Sequence, residues 1–416
     1  DQAKDTSDRI PLGIGMDKTR IDFGYAKPDP KATVDKTRTS LDCDDSTCTV
    51  NWDVKVENTG NTRFDASSTL SDRMSSNVKN VTATAGTVSI ESGGAKQVAT
   101  SGDHKFVLTG EGVLYAWGNN QYGQLGFAPE EGDGVTPANT SKPTIVDGTW
   151  SKVAAGGKHS AAISTDGHLY VAGWNGKGQL GLGDTDNRSE WTETAEDKTF
   201  TDVACGNDYT LAIATDGSLW YAGFGQTSWT QISAGTTFVQ VSAYATTWAA
   251  LDTSGNISYS TDNSANPTTG TSGSFTQVAA GYQIVLALNA DGTVTSVAGS
   301  GYHGSGNVGG LRNVTSITAG YMTGYAITGD GHLWSWGWNG DGQLANGQTG
   351  DGTSWTNGAQ NTTYDVTEPV DTGLTASAVA AGDRDALIVS DKVMIAGYDP
   401  YGDGKTGTAR STGLKG

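Results

Sequence analysis

One segment recurs seven times in this chain of 416 residues, and that recurrence restricts its folds more than any other feature. The clearest copy runs Val153-Ala154-Ala155-Gly156-Gly157-Lys158-His159-Ser160-Ala161-Ala162-Ile163, then passes Asp166-Gly167 and Leu169 to reach Gly173. Related units begin at Val98, Val203, Val241, Val278, Ile317 and Val379, with start-to-start spacings of 55, 50, 38, 37, 39 and 62 residues. The turn pair returns as Asp216-Gly217, Asp291-Gly292 and Asp330-Gly331, with Glu111-Gly112 and Ser254-Gly255 as variants and Asp391-Lys392 as the weakest copy.

Each unit reads as strand, strand, tight turn, strand. The Asp-Gly pair supplies the positive φ that a hairpin turn demands. A unit of this size cannot bury its own faces, whereas copies stacked in a closed ring leave only short, protected edges. The expected fold is therefore all-β, a seven-bladed β-propeller. Glycine makes up 59 residues, about one in seven, and this punctuation accounts for much of the excess.

In three copies the third strand runs into a sharper signature. It reads Trp117-Gly118-Asn119-Asn120-Gln121-Tyr122-Gly123-Gln124-Leu125-Gly126, and returns at Gly173–Gly181 and at Trp336–Leu344. With its upstream Ala-Gly-x-x-His, this string resembles the regulator of chromosome condensation repeat family, and the resemblance covers about residues 96–416. It implies a seven-bladed propeller. The glycines are expected to permit tight turns, the glutamine to tie the loop to backbone, and the leucine to fill the core. The copies at Val241 and Val278 lack Gly-Gln-Leu, so their loops should differ. His104 and His159 share one slot and His168 and His332 another, as satisfied structural histidines would. Cys205 stands where other copies have alanine and reads as a small buried residue. No nucleophile, base and orienting group come together, so the chain is not expected to be an enzyme.

Residues 33–92 have another texture, and residues 1–32 read as an arm or linker, which leaves 93–416 for the propeller. Val50, Trp52, Val54 and Val56 alternate with Asn51, Asp53 and Lys55, a half-buried strand ended by Asn58-Thr59-Gly60-Asn61. Cys43 and Cys48 flank a polar tip, which fits a disulfide closing a hairpin in an oxidising compartment; a metal pair is the weaker alternative. The Val-x-Trp-x-Val-x-Val-x-Asn-Thr-Gly-Asn-Thr pattern resembles the immunoglobulin-like repeats of bacterial surface and pilus proteins. That resemblance implies a spacer domain, and it makes Lys36 a candidate for a Lys–Asn cross-link against the plainer reading of a solvated lysine. The chain opens at Asp1 with no leader pattern and reads as a mature or trimmed piece.

Charge separates the two regions. Residues 1–90 carry 14 acidic and 12 basic side chains, whereas residues 91–416 carry 31 and 14, a net −17. A cation-poor surface repels nucleic acid and anionic membranes, so neither is an expected partner, and no apolar stretch is long enough to insert in a bilayer.

The long connections, about residues 127–148, 182–199 and 345–374, should share a face with the Gly157-Lys158 type of loop. They carry Trp191, Trp355, Tyr364 and Glu190, taken as ligand-binding candidates because aromatic side chains on loops over a rigid scaffold serve binding faces. Asp184–Glu190 and Asp399–Asp403 cluster oxygen atoms but lack the EF-hand spacing, so calcium is a weak alternative and no cofactor is expected.

The function expected from these features is a secreted or bacterial cell-surface adhesin. Its spacer would present a propeller head to a glycan or protein on a host or neighbouring cell, alone or with other subunits of a pilus or filament. The alternatives are a secreted enzyme inhibitor and a guanine-nucleotide exchange factor.

Overall fold

The structure is a computed structural model that describes residues 21–23, 32–43, 48–58, 70–72, 94–127, 139–267, 269–299, 306–348, 365–400 and 409–415. It divides into two units, Asp1–Glu91 and Ser92–Gly416.

In the first unit, β1 (Ile21–Phe23) pairs with β4 (Leu70–Asp72), and β2 (Ala32–Cys43) forms an antiparallel hairpin with β3 (Cys48–Asn58). The expected alternating strand is β3. The register sets Cys43 opposite Cys48 and Lys36 opposite Val54, while the side chains of these residues lie outside the described set. These two strand pairs are what the described residues of this unit contain, and the immunoglobulin-like reading rests on sequence resemblance.

The second unit is a ring of seven four-stranded antiparallel sheets, each built from consecutive strands. The blades span residues 95–146, 150–194, 200–232, 238–271, 275–307, 314–375 and 378–415. All seven repeat starts fall on the innermost strands, Ala95–Thr100, Trp150–Ala155, Phe200–Cys205, Phe238–Tyr244, Phe275–Gly281, Val314–Ala319 and Ala378–Ala381. In the blades that start at Val241 and Val278, two of the four without Gly-Gln-Leu, the fourth strand is short, Thr269–Thr271 and Gly306–Asn307.

The core lies between blades. Seven apolar clusters fill the seven seams; the first joins Phe106, Leu108 and Leu125 to Trp150 and Val153, and the last joins Val98 and Val107 to Leu387 and Ile395. Burying each such side chain stabilises by about 1.5–3 kcal/mol, which is why a seam and not a blade is the unit of cohesion. The signature leucines Leu125, Leu180 and Leu344 are fully buried, as expected. The glutamines tie their loops as expected too: Gln124, Gln179 and Gln343 accept, through Oε1, from the backbone N–H of Tyr122, Lys177 and Asp341.

Polar contacts at the head of each second strand add specificity. His104 Nε2 lies 2.8 Å from Ser160 Oγ, whose own proton goes to the carbonyl of Gln124 at 2.8 Å. The hydroxyl must therefore accept from the imidazole, which places the His104 proton on Nε2. His159 repeats this with Thr210 and Gln179 one seam later. Burial drives both imidazoles down to about 3, so they stay neutral. At the other end of the inner strands, Gln97, Gln240 and Gln277 each donate to and accept from the backbone of the next blade, at Val153, Val278 and Ile317. Each amide imitates a strand neighbour across the ring.

Candidate functional site

The hairpin between the first two strands and the connection after the third open on one face, as expected, and are bonded to each other. In five blades the residue following the third-strand glycine donates its N–H to a hairpin carbonyl: Asn119 to Asp103, Trp174 to Lys158, Phe224 to Asp208, Trp338 to Met322 and Tyr398 to Arg384, at 2.8–2.9 Å. Four of these five residues are aromatic. They sit on backbone held by its own blade, so the fold fixes where each ring can stand.

The rings gather further groups. Lys158 Nζ lies 5.5 Å from the centre of Tyr122 and 5.6 Å from that of Trp174, within cation–π range of both. Tyr282 stacks on Tyr321 at 5.1 Å, and Tyr321 meets Trp338 edge-on at 5.7 Å. Arg384 grips Asp341 with two bonds of 2.7 and 2.9 Å and lies 4.2 Å over Tyr398. Two glycines make room for the indoles: a Cβ on Gly176 would come within 2.4 Å of Trp174, and one on Gly340 within 2.5 Å of Trp338. Phe224 is 56% exposed.

Tyr244 closes the middle of this face. It occupies a hairpin slot filled by glycine in five blades and by Ser101 in another. A side chain at Gly156, Gly206, Gly281, Gly320 or Gly382 would collide with a neighbour at 2.2–2.7 Å. The Tyr244 phenol crosses the axis and donates to Asp383 of blade 7. Desolvation holds the Asp383 carboxyl above the usual carboxylate range, helped by Asp385 and Asp103, and burial holds the phenol well above its own. Below the bridge lies an axial cavity of about 230 Å³, walled by small residues such as Ala99, Ala155, Cys205 and Ala279. Cys205 is buried as expected, its thiol pushed up to about 12 by burial.

Two of the four residues proposed from sequence lie within the described residues. Trp355 and Tyr364 lie outside the described residues. Glu190 and Trp191 belong to the fourth strand of blade 2, Arg188–Thr194, not to a loop. Strand alternation leaves Glu190 exposed and turns Trp191 into the seam, where its ring meets Trp150 at 5.3 Å and Phe106 at 6.2 Å. Gly126 makes that space, since a Cβ there would meet the indole at 2.2 Å; Trp229 repeats the arrangement over Gly181. This packing accounts for Trp191 without a ligand. The oxygen-rich run at Asp184 is committed to protein donors: Arg188 at 2.6 Å and the Asn175 amide at 3.1 Å hold its carboxylate. Asp399 lies 3.7 Å from Lys105 Nζ, and residues 401–403 are outside the described set.

Sequence reasoning missed the aromatic position after the third-strand glycine, although Trp174, Phe224, Trp338 and Tyr398 recur there. It also missed Tyr244, whose signal is the Ala-Tyr that stands where other units read Ala-Gly.

Comparison with known proteins agrees with this architecture. Two family profiles, each described as the regulator of chromosome condensation (RCC1) repeat, match residues 111–163 and 166–213, and residues 95–124, 150–179 and 314–343. The ultraviolet-B receptor UVR8 of Arabidopsis thaliana is 44% identical over 94 residues, 22% of this chain and 20% of that protein. The X-linked retinitis pigmentosa GTPase regulator of Canis lupus familiaris is 42% identical over 91 residues, 21% of this chain and 8% of that protein. The secretion-regulating guanine nucleotide exchange factor of Bos taurus is 42% identical over 74 residues, 18% of this chain and 16% of that protein. The matched stretches thus span a fifth or less of these relatives. Among solved structures, Prp20p of Saccharomyces cerevisiae superposes with a TM-score of 0.59 at 16% identity, over 73% of this chain and 86% of that one, a likeness of fold alone. Residues 95–163, 166–213 and 314–343 thus match regulator of chromosome condensation repeats, within a seven-bladed β-propeller.

Proposed function

We propose that the propeller is a protein-binding module that acts by docking and not by catalysis, and that its partner sits on the hairpin face over Trp174 and Phe224. The observation that carries this reading is the repeated aromatic position, set on hydrogen-bonded loops and flanked by Lys158 and Arg384. Large rings and arginine on rigid backbone are what interface hot spots use, because they lose little freedom on binding. The net −17 of residues 91–416 favours a partner with a basic contact surface. The relatives fit a protein partner: two are named for GTPase regulation or nucleotide exchange, and yeast Prp20p is described with binding to Gsp1p and histones.

Exchange on a small GTPase is the narrower form of this reading, favoured by those names. Nucleotide release from a panel of small GTPases tests it: acceleration by the full chain that Trp174→Ala/Phe224→Ala removes supports it, and release unchanged across the panel removes it. A second reading keeps the propeller as the head of an extracellular surface protein or filament subunit with a glycan or protein ligand. It is supported by the sequence pattern of residues 33–92 and by Cys43 facing Cys48 across a hairpin. Host-cell binding and glycan arrays with the full chain decide it, and binding that survives Trp174→Ala/Phe224→Ala separates its ligand site from the hairpin face.

A further inference from the structure

The face opposite the hairpins carries a second concavity. A groove of about 320 Å³ beside blade 6 is walled by Arg312, Asn313, Asp330, His332, Trp334 and Asp371. Its size sits at the lower end of ligand sites, which run from about 300 to 1,000 Å³.

Three features argue that it is more than a gap between loops. Arg312 is the sole Lys or Arg between Lys198 and Arg384; Asp291 lies within its electrostatic reach, but it makes no hydrogen bond or ion pair among the described residues. An exposed guanidinium with no hydrogen bond among the described residues presents five donors in a planar fork. His332 is fixed by Asp371, with Nδ1 2.8 Å from Oδ2, so its ring orientation is set and Nε2 is left without a protein partner among the described residues. Trp334 is half-buried on the third strand of blade 6 and lines the groove with an aromatic surface.

The charges of these groups select among ligands. Asp330 and Asp371 outweigh Arg312, which disfavours an anion, while Arg312 and His332 oppose a cation. What remains is a neutral molecule with an apolar ring face and several hydroxyls, each of which donates and accepts at once. Arginine donates, aspartate accepts and the Asn313 amide does both, so vicinal hydroxyls match the set.

We infer that this groove binds a neutral saccharide, one pyranose ring lying on Trp334 with its hydroxyls held by Arg312, Asn313 and Asp371. This site is distinct from the hairpin face and independent of any protein partner there.

The test is saturation-transfer NMR on the full chain with glucose, galactose, mannose and N-acetylglucosamine, and with glucuronate and glucosamine as charged comparators. At least one neutral sugar should bind at millimolar concentration. Arg312→Ala should weaken it about tenfold or more, since bonds to a charged group are the stronger class. Trp334→Leu should abolish it, and Trp174→Ala on the other face should leave it unchanged. Arg312 is exposed, so its truncation leaves the fold intact and carries the decision. Absence of neutral-sugar binding, tighter binding of either charged comparator, or binding indifferent to Arg312→Ala would overturn the inference.

Discussion

Lys105 Nζ lies 2.7 Å from Asp385 Oδ2, with both side chains shut off from water, and the pair joins the last blade to the first. It occupies the same structural slots as the His104–Ser160 and His159–Thr210 pairs. Where those seams use a neutral imidazole and a hydroxyl, the closing seam uses two charges. Thr100 donates to the other carboxylate oxygen at 3.2 Å from 285 residues away in sequence. No strand is shared between the first and last blades, whose sheets are each built from consecutive strands, so the ring closes through side chains and the apolar layer of Val98, Val107, Leu387 and Ile395.

Removing one partner should therefore cost far more than removing both. Lys105→Met leaves a buried carboxylate uncompensated and should lower stability by about 3–5 kcal/mol. Lys105→Met/Asp385→Leu should recover most of that loss. Urea unfolding of the single and double variants measures the difference, and equal losses in both would mean that the charges do not act as a pair.

Acid should destabilise the propeller through His104 and His159. Their folded pKa is about 3, against 6.5 in the unfolded chain. Between those values the unfolded state binds protons that the folded state refuses. Stability is thus fully present above about pH 6.5 and falls as pH drops, by up to about 1.4 kcal/mol per pH unit for each histidine. Chemical unfolding from pH 7 to pH 4 should show the slope, and His104→Gln/His159→Gln should flatten it.

The seam role of Trp191 predicts a loss of stability on truncation. Trp191→Ala should cost about 3 kcal/mol, toward the lower end for a large aromatic because the ring is half-buried. Gly126→Ala should be comparably harmful, since its Cβ would strike the same indole and its backbone holds φ at +78°. Thermal unfolding reads both; a Trp191→Ala variant as stable as the parent would return that residue to the list of ligand contacts.

The Tyr244–Asp383 bridge predicts a smaller effect. Tyr244→Phe removes one hydrogen bond and should cost about 1 kcal/mol. Tyr244→Gly restores the glycine of the other blades and opens the axial cavity at the hairpin face, which faster hydrogen exchange in the Thr247–Asp252 strand would report.

Much of this architecture was legible because each blade writes its inner strands in the same words. The repeat starts from Val98 to Val379 mark all seven inner strands, and Gln124 and Leu125 do what their motif implies. The outer strands were not legible. They form the edge of each sheet, are polar on their exposed side and so have a thin apolar pattern, which is why Glu190 and Trp191 read as loop residues. Nor does local pattern reveal contacts made by closing the ring. Lys105 and Asp385 look like stray charges in two strands until blade 7 meets blade 1, and Tyr244 looks like noise in a glycine slot until Asp383 appears opposite. The aromatic position after the third-strand glycine is present in the sequence, but the variable loops that follow it hide the recurrence.

Docking on the hairpin face is tested most directly by site-specific photo-crosslinking in cells, with a benzoyl-phenylalanine placed at Phe224 or at Val239. Both positions are exposed, at 56% and 53%, but Val239 lies near the start of an inner strand at the opposite end of its blade. The account predicts protein adducts from position 224 that Trp174→Ala diminishes, and few from position 239. Adducts of equal yield from both positions, or adducts at 224 indifferent to Trp174→Ala, would contradict it.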